Sequence, residues 1–171
     1  MELEAIDYKP EHLLDVYPFA RGDFANVSAQ EALDTLEMQS QCGPTVTIVK
    51  KATQRPICII NMHMVMPGVS QLNVYSTTLL PAVIKEFEKL VRGPVDELIH
   101  INQIHKLQCL VIAEKPSWVK WATHMYGFKE EGLLRQFLPG KKDAVLMGSI
   151  IGEDYFPTPL DKIENRRYTR E

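Results

Sequence analysis

The sequence predicts one α/β (α+β) domain, a mixed and mostly antiparallel central sheet flanked by helices, followed by a C-terminal tail. Three observations carry that reading. Short β-branched or alternating runs recur along the chain, amphipathic helical segments separate several of them, and two pairs of strands are joined by short polar turns of the kind that link antiparallel neighbours. A chain of 171 residues with 45% hydrophobic content is long enough for one well-buried core and too short for two typical domains.

Taken in order, residues 2–6 alternate as a short strand. Pro10 then stands where a first helical turn tolerates it, with Leu13, Leu14 and Tyr17 on one face, and Pro18 ends that helix. Ser28 and Glu31 have capping-box spacing, so a helix follows with Ala29, Ala32, Leu33 and Leu36 inward. Gly43-Pro44 breaks the chain before the β-branched strand 45–49, and a polar turn leads to strand 56–60, giving an antiparallel hairpin. Strand 70–76 alternates Leu72, Val74 and Ser76 against Gln71, Asn73 and Tyr75. It runs into a helix from about Leu79 that has Leu80, Val83, Ile84, Phe87, Leu90 and Val91 on one face. Gly93-Pro94 is expected to stop that helix and seed a second short one through Leu98 and Ile101, before strand 107–112. Pro116 opens a tryptophan-bearing helix with Val119, Ala122 and Met125 or Tyr126 inward, and strands 128–137 and 144–151 close the domain.

The domain is expected to span 1–151, with 152–171 as a tail that lacks amphipathic periodicity. Tyr155, Phe156, Leu160 and the Arg166-Arg167-Tyr168 end suggest an arm that docks on a partner rather than a piece of the core.

Composition excludes several function classes. The formal charge of −3 comes from charges spread through the sequence, which makes nucleic acid an unlikely primary partner. No apolar run approaches the length that crosses a bilayer, and the acidic start is unlike a secretory leader, so a soluble, cytoplasmic protein without membrane association is expected. Cys42, Cys58 and Cys109 are odd in number and widely spaced, which reads as reduced cysteine rather than a disulfide framework. No metal site is expected. Met62, Met64 and Met66 alternate with His63 as core filling does, and His100 and His105, five apart, share no helical face.

The C-terminal half carries more specific signals: Tyr126-Gly127-Phe128 at the end of the tryptophan helix, Glu131-Gly132 followed by Leu134-Arg135, and Gly140 with Asp143 before the last strand. In this order they resemble the GNAT family, the acyl-CoA-dependent N-acyltransferases, and the run βααβββααβαββ is similar to that family's layout. Gln71 to Ser76 passing straight into the proline-bearing Thr77-Thr78-Leu79-Leu80-Pro81, with Trp121 ahead of the Gly-Phe pair, resembles GNAT-like proteins that short-tailed bacteriophages encode near their virion-assembly genes.

The resemblance implies an acyl-CoA cleft between the fourth and fifth strands. Backbone groups around Asn73, Val74 and Tyr75 would carry the pantetheine, and a helix N-terminus near Thr77 and Thr78 would meet the pyrophosphate through free amides. The family's glycine-rich phosphate signature is missing there, and Pro81 removes one donor. The family's pantetheine-holding asparagine falls at Pro116 and its thiolate-protonating tyrosine at Thr123, with Lys115 or Ala122 one residue away; Tyr126 is the nearby hydroxyl. Glu114 is the first choice of general base, with His63 and Tyr75 behind it. Two functions lead, ahead of a small-molecule or peptide binder that uses the same cleft without chemistry. One is a catalytically degenerate scaffold in phage virion assembly, with phage structural proteins or another copy of itself as partner. The alternative is an N-acetyltransferase that uses acetyl-CoA on an amine.

Overall fold

The computed structural model describes residues 1–18 and 27–163. Twelve elements follow one another: β1 (Leu3–Asp7), α1 (Pro10–Val16), α2 (Ala29–Cys42), β2 (Thr45–Lys50), β3 (Arg55–Met66), β4 (Val69–Ser76), a 3₁₀ turn (Leu80–Val83), α3 (Ile84–Ile101), β5 (Lys106–Ile112), α4 (Pro116–Tyr126), β6 (Lys129–Leu138) and β7 (Lys142–Ile150). The seven strands form a single sheet in the order β1-β2-β3-β4-β5-β7-β6. Every neighbouring pair is antiparallel except β4 and β5, which run parallel.

Side-chain alternation decides which face each helix covers. Phe87, Val91, Val95 and Ile99 of α3 and Met125 of α4 pack with Ile60, Leu72, Leu107 and Met147 on one face. Leu13 and Val16 of α1 and Ala32 and Leu36 of α2 pack around Ile59 on the other. The sheet is therefore the middle of three layers. The capping box that starts α2 forms as its spacing predicts: the Glu31 amide donates to Ser28 Oγ at 3.2 Å, and the Ser28 amide donates to Glu31 Oε2 at 2.8 Å.

Several expectations are corrected. Gly93-Pro94 does not end a helix, because α3 runs unbroken from Ile84 to Ile101 with Pro94 inside it. One missing amide donor is outweighed by the continuous apolar face of Phe87, Val91, Val95 and Ile99, all buried. Leu14 is 53% exposed, and Val16 takes the inward place beside Leu13. Only Met62 of the methionine stripe is core; a bulge between Met64 and Met66 leaves both exposed.

The tail departs most. Tyr155 and Ile163 are buried, Ile151 bridges Tyr155, and residues 160–163 form a last helical turn. The Tyr155 hydroxyl donates to Asp96 Oδ1, the Thr158 amide donates to Asp96 Oδ2 at 2.9 Å, and His100 Nε2 donates to the Thr158 carbonyl at 2.8 Å. A buried carboxylate on α3 thus binds the segment to the domain, a long-range partner that periodicity does not reveal. Arg166, Arg167 and Tyr168 lie outside the described residues.

Candidate active site

β4 and β5 stay together for only three pairs, Val69 with Lys106, Ser70 with Leu107 and Gln71 with Gln108. Each strand then follows its outer neighbour: β3 holds β4 as far as Ser76, and β7 holds β5 as far as Ile112. The sheet opens into a wedge because the outer ladders continue where the inner one stops. Past Gln71, the edge of β4 that faces β5 has no strand partner, so its amides and carbonyls are open to an extended ligand.

The wedge forms a cleft of about 320 Å³. Leu72, Val74 and Ser76 of β4 and Cys109 and Val111 of β5 form its sides; Thr77, Thr78 and Pro81 close one end, and Trp118, Trp121, Ala122 and Tyr126 of α4 cover it. The two tryptophans meet edge to face at 5.4 Å, Trp121 leans on Phe87 at 5.7 Å, and its Nε1 donates to Glu88 Oε1 at 3.1 Å. They are built into the α3–α4 packing, with Trp118 presented to the cleft. Cys109 faces an apolar surround, and burial pushes its thiol up to about 12, so it stays protonated at neutral pH.

The wall of α4 is set by its ends. Gly127, at φ +66°, caps the helix in the left-handed region, and a side chain there would strike the Asp154 carbonyl at 2.1 Å. The Ser149 hydroxyl donates to the Tyr126 carbonyl at 2.6 Å, tying the same turn to β7. Tyr126 is 2% exposed, and its hydroxyl has no hydrogen-bond partner. Burial, reinforced by Tyr155 and Asp96, pushes that hydroxyl well above the usual tyrosine range.

The phosphate end of the cleft is occupied by its own backbone. The Leu79 amide donates to Thr77 Oγ1 at 3.3 Å, the Leu80 amide to the Thr77 carbonyl at 3.4 Å and the Ala82 amide to the Leu79 carbonyl at 3.2 Å; Pro81 has no amide hydrogen. Thr77 is buried with its hydroxyl donating to the Ile57 carbonyl at 2.8 Å. Among the described residues, Lys115 is the one cation lining the cleft.

On the opposite face of the sheet, at the level where the wedge begins, runs a ladder of neutral polar side chains. Gln108 Nε2 donates to Gln71 Oε1 at 3.1 Å, Gln71 Nε2 to Asn73 Oδ1 at 3.0 Å, and Asn73 Nδ2 to Asn61 Oδ1 at 3.1 Å. His63 stands opposite Gln71 in the β3–β4 register, with Nδ1 2.7 Å from Asn61 Oδ1. Asn61 is oriented by donating Nδ2 to the Gln39 carbonyl and Thr45 Oγ1, so its oxygen must face His63. The 2.7 Å contact with that oxygen is shorter than the 3.3 Å contact of Asn73 Nδ2 with the same nitrogen, which favours the tautomer with the proton on Nδ1 and Nε2 as an acceptor. Burial lowers the His63 pKa, so the ring is neutral at neutral pH.

The predicted site residues divide accordingly. Val74, Thr77, Thr78 and Tyr126 line the cleft. The side chains of Asn73 and Tyr75 point to the other face, where the Tyr75 hydroxyl exchanges hydrogen bonds with Gln39 at 3.0 and 3.1 Å. Glu114 does not reach the cleft: it is exposed and paired with Lys142 at 2.8 Å. Lys115 and Ala122 line the cleft, whereas Pro116 does not and Thr123 is exposed with its hydroxyl donating to the Val119 carbonyl. The one-residue offset therefore gives the site-facing positions, and the position expected for the thiolate's tyrosine holds no hydroxyl. The Asn61–His63 pair was the feature hardest to read in sequence, since its only signal was two polar residues inside an otherwise apolar run.

Protein-family models and curated proteins give no match to this chain. Solved structures do. Ard1 from Thermoplasma volcanium superposes with a TM-score of 0.69 at 12% identity, covering 90% of this chain and 100% of that one. A GNAT-family acetyltransferase from Bacillus anthracis gives 0.63 at 8% identity, covering 88% and 95%. The spermidine N-acetyltransferase of Vibrio cholerae, in complex with CoA and spermine, gives 0.61 at 16% identity, covering 87% and 95%. The architecture is the GNAT fold. Its cleft has an open β4 edge and mostly apolar walls, and the turn after β4 bonds the Leu79, Leu80 and Ala82 amides within itself.

Proposed function

We propose that this chain is an N-acyltransferase that takes an acyl group from a thioester and gives it to an amine, with acetyl-CoA as the first donor to test. The observation that carries this reading is the wedge between β4 and β5, with an open strand edge on one side and mostly apolar walls from β4, β5 and α4. The donor supplies an activated acyl carbon.

The chain's own residues supply the rest. The β4 edge orients the pantetheine by backbone pairing, and Trp118, Met125 and Val74 exclude water around it. His63 Nε2 takes the proton that the amine loses as nitrogen bonds to the acyl carbon and the carbon–sulfur bond breaks. The Nδ1 contact with Asn61 supports that role by favouring the tautomer with a free Nε2. The sulfur leaves as the thiolate, and the buried hydroxyl of Tyr126 keeps its proton.

A second reading has one observation in its favour, the amides already consumed in the turn after β4. Here the GNAT fold acts as a packing scaffold, the phage virion-assembly role that the sequence resemblance suggests. Thiol release from acetyl-CoA over a panel of primary amines separates the two. The acyltransferase reading expects amine-dependent release that His63→Gln lowers by about a hundredfold in kcat/KM, the scale of general base catalysis. Release no faster than amine-free hydrolysis across the panel leaves the scaffold.

A further inference from the structure

The two ends of the cleft have different chemistry, and the difference bears on which part of a donor can be recognised. At the wedge, β4 past Gln71 offers unpaired backbone groups beside Leu72, Val74 and Val111, a surface suited to an extended chain that carries amides and methyl groups. At the far end, a phosphate group would need convergent amide donors or cations. The turn offers no cation and few free amides. The amides of Leu79, Leu80 and Ala82 bond to Thr77 Oγ1, the Thr77 carbonyl and the Leu79 carbonyl, and Pro81 has none to give. Thr77 is anchored through both its amide and its hydroxyl to the Ile57 carbonyl, at 2.9 and 2.8 Å, so freeing those donors means unpicking a buried cap.

We infer that the donor is recognised through its acyl-pantetheine part alone, and that a nucleotide on the far side of the thioester's carrier arm adds nothing to binding. The inference rests on the acyltransferase reading and narrows its donor to acyl-pantetheine thioesters whatever they are attached to. Pantetheine is uncharged along its length, which suits a cleft whose lining is uncharged apart from Lys115. A lone Lys115 at the start of α4 is a single point charge without the converging amides that make an anion site.

Calorimetric titration of the full chain with three probes tests this: S-acetylpantetheine, acetyl-CoA and adenosine 3′,5′-bisphosphate. The expected result is that the two thioesters bind with dissociation constants within about threefold of each other, and that the bisphosphate neither binds nor competes. Acetyl-CoA binding tenfold or more tightly than S-acetylpantetheine, or competition by the bisphosphate, overturns the inference while leaving the acyltransferase reading in place. If neither thioester binds at millimolar concentration, the acyltransferase reading falls and this inference falls with it.

Discussion

Tyr126 carries a buried hydroxyl that the fold leaves unsatisfied. An unmade hydrogen bond of that kind costs roughly 1–3 kcal/mol, so Tyr126→Phe should leave the melting temperature unchanged or raise it. A marked loss of stability would mean the hydroxyl has a structural partner after all. His63 gives a pH signature. Its folded pKa lies below the ordinary value near 6.5, so below that value the unfolded chain binds more protons than the folded one. Stability should be full above about pH 6.5 and fall as pH drops toward the folded pKa. Urea titrations at pH 5 and 7.5 should show His63→Gln with a smaller difference than the wild type, and an identical difference would remove His63 from the account. The cysteines behave differently from one another: Cys42 is exposed, while Cys58 and Cys109 are buried with thiols pushed up by desolvation. Iodoacetamide at pH 8 should label one site in the folded protein and three after denaturation.

At the scale of elements, α3 holds two residues that oppose helix and survives them. Gly93 lies inside the helix, and a Cβ built there meets nothing within 4 Å. Gly93→Ala should change stability by less than about 1 kcal/mol, because better helix propensity and lower unfolded-state entropy are offset where the new Cβ meets the ring of Pro94. Chemical denaturation checks it, and a larger destabilisation would show that the backbone at Gly93 is strained. The wedge is also a property of elements. Neither β4 nor β5 contains a residue that says where to part; the separation comes from β3 and β7 continuing to pair with their outer edges.

For the whole molecule, residues 152–163 are part of the fold. Asp96 is fully buried and takes its two described partners, the Tyr155 hydroxyl and the Thr158 amide, from that segment. Removing residues 152–171 would strand a carboxylate in the core, which costs about 3–5 kcal/mol when a buried charge loses its partners. The truncated chain should melt far lower or fail to fold, and Tyr155→Phe should cost less, about 1–3 kcal/mol. A truncation with unchanged melting would return the segment to the role of a separate arm.

The sequence by itself determined the order of the strands, and of the helices apart from the break expected at Gly93-Pro94, together with the capping box at Ser28, the antiparallel hairpin of β2 and β3 and the two faces of β4, because each depends on residues a few positions apart. It also carried the warning that the turn after β4 lacks glycine and contains Pro81. Tertiary structure decided the rest. It carried α3 through Pro94, turned Glu114 out to Lys142, brought Asn61 against His63 and fastened Tyr155 to Asp96, 59 positions away. The local pattern records which groups prefer burial or a turn, while partners for buried polar groups are chosen by which strands and helices come to lie beside one another, and that choice is made only when the whole sheet closes.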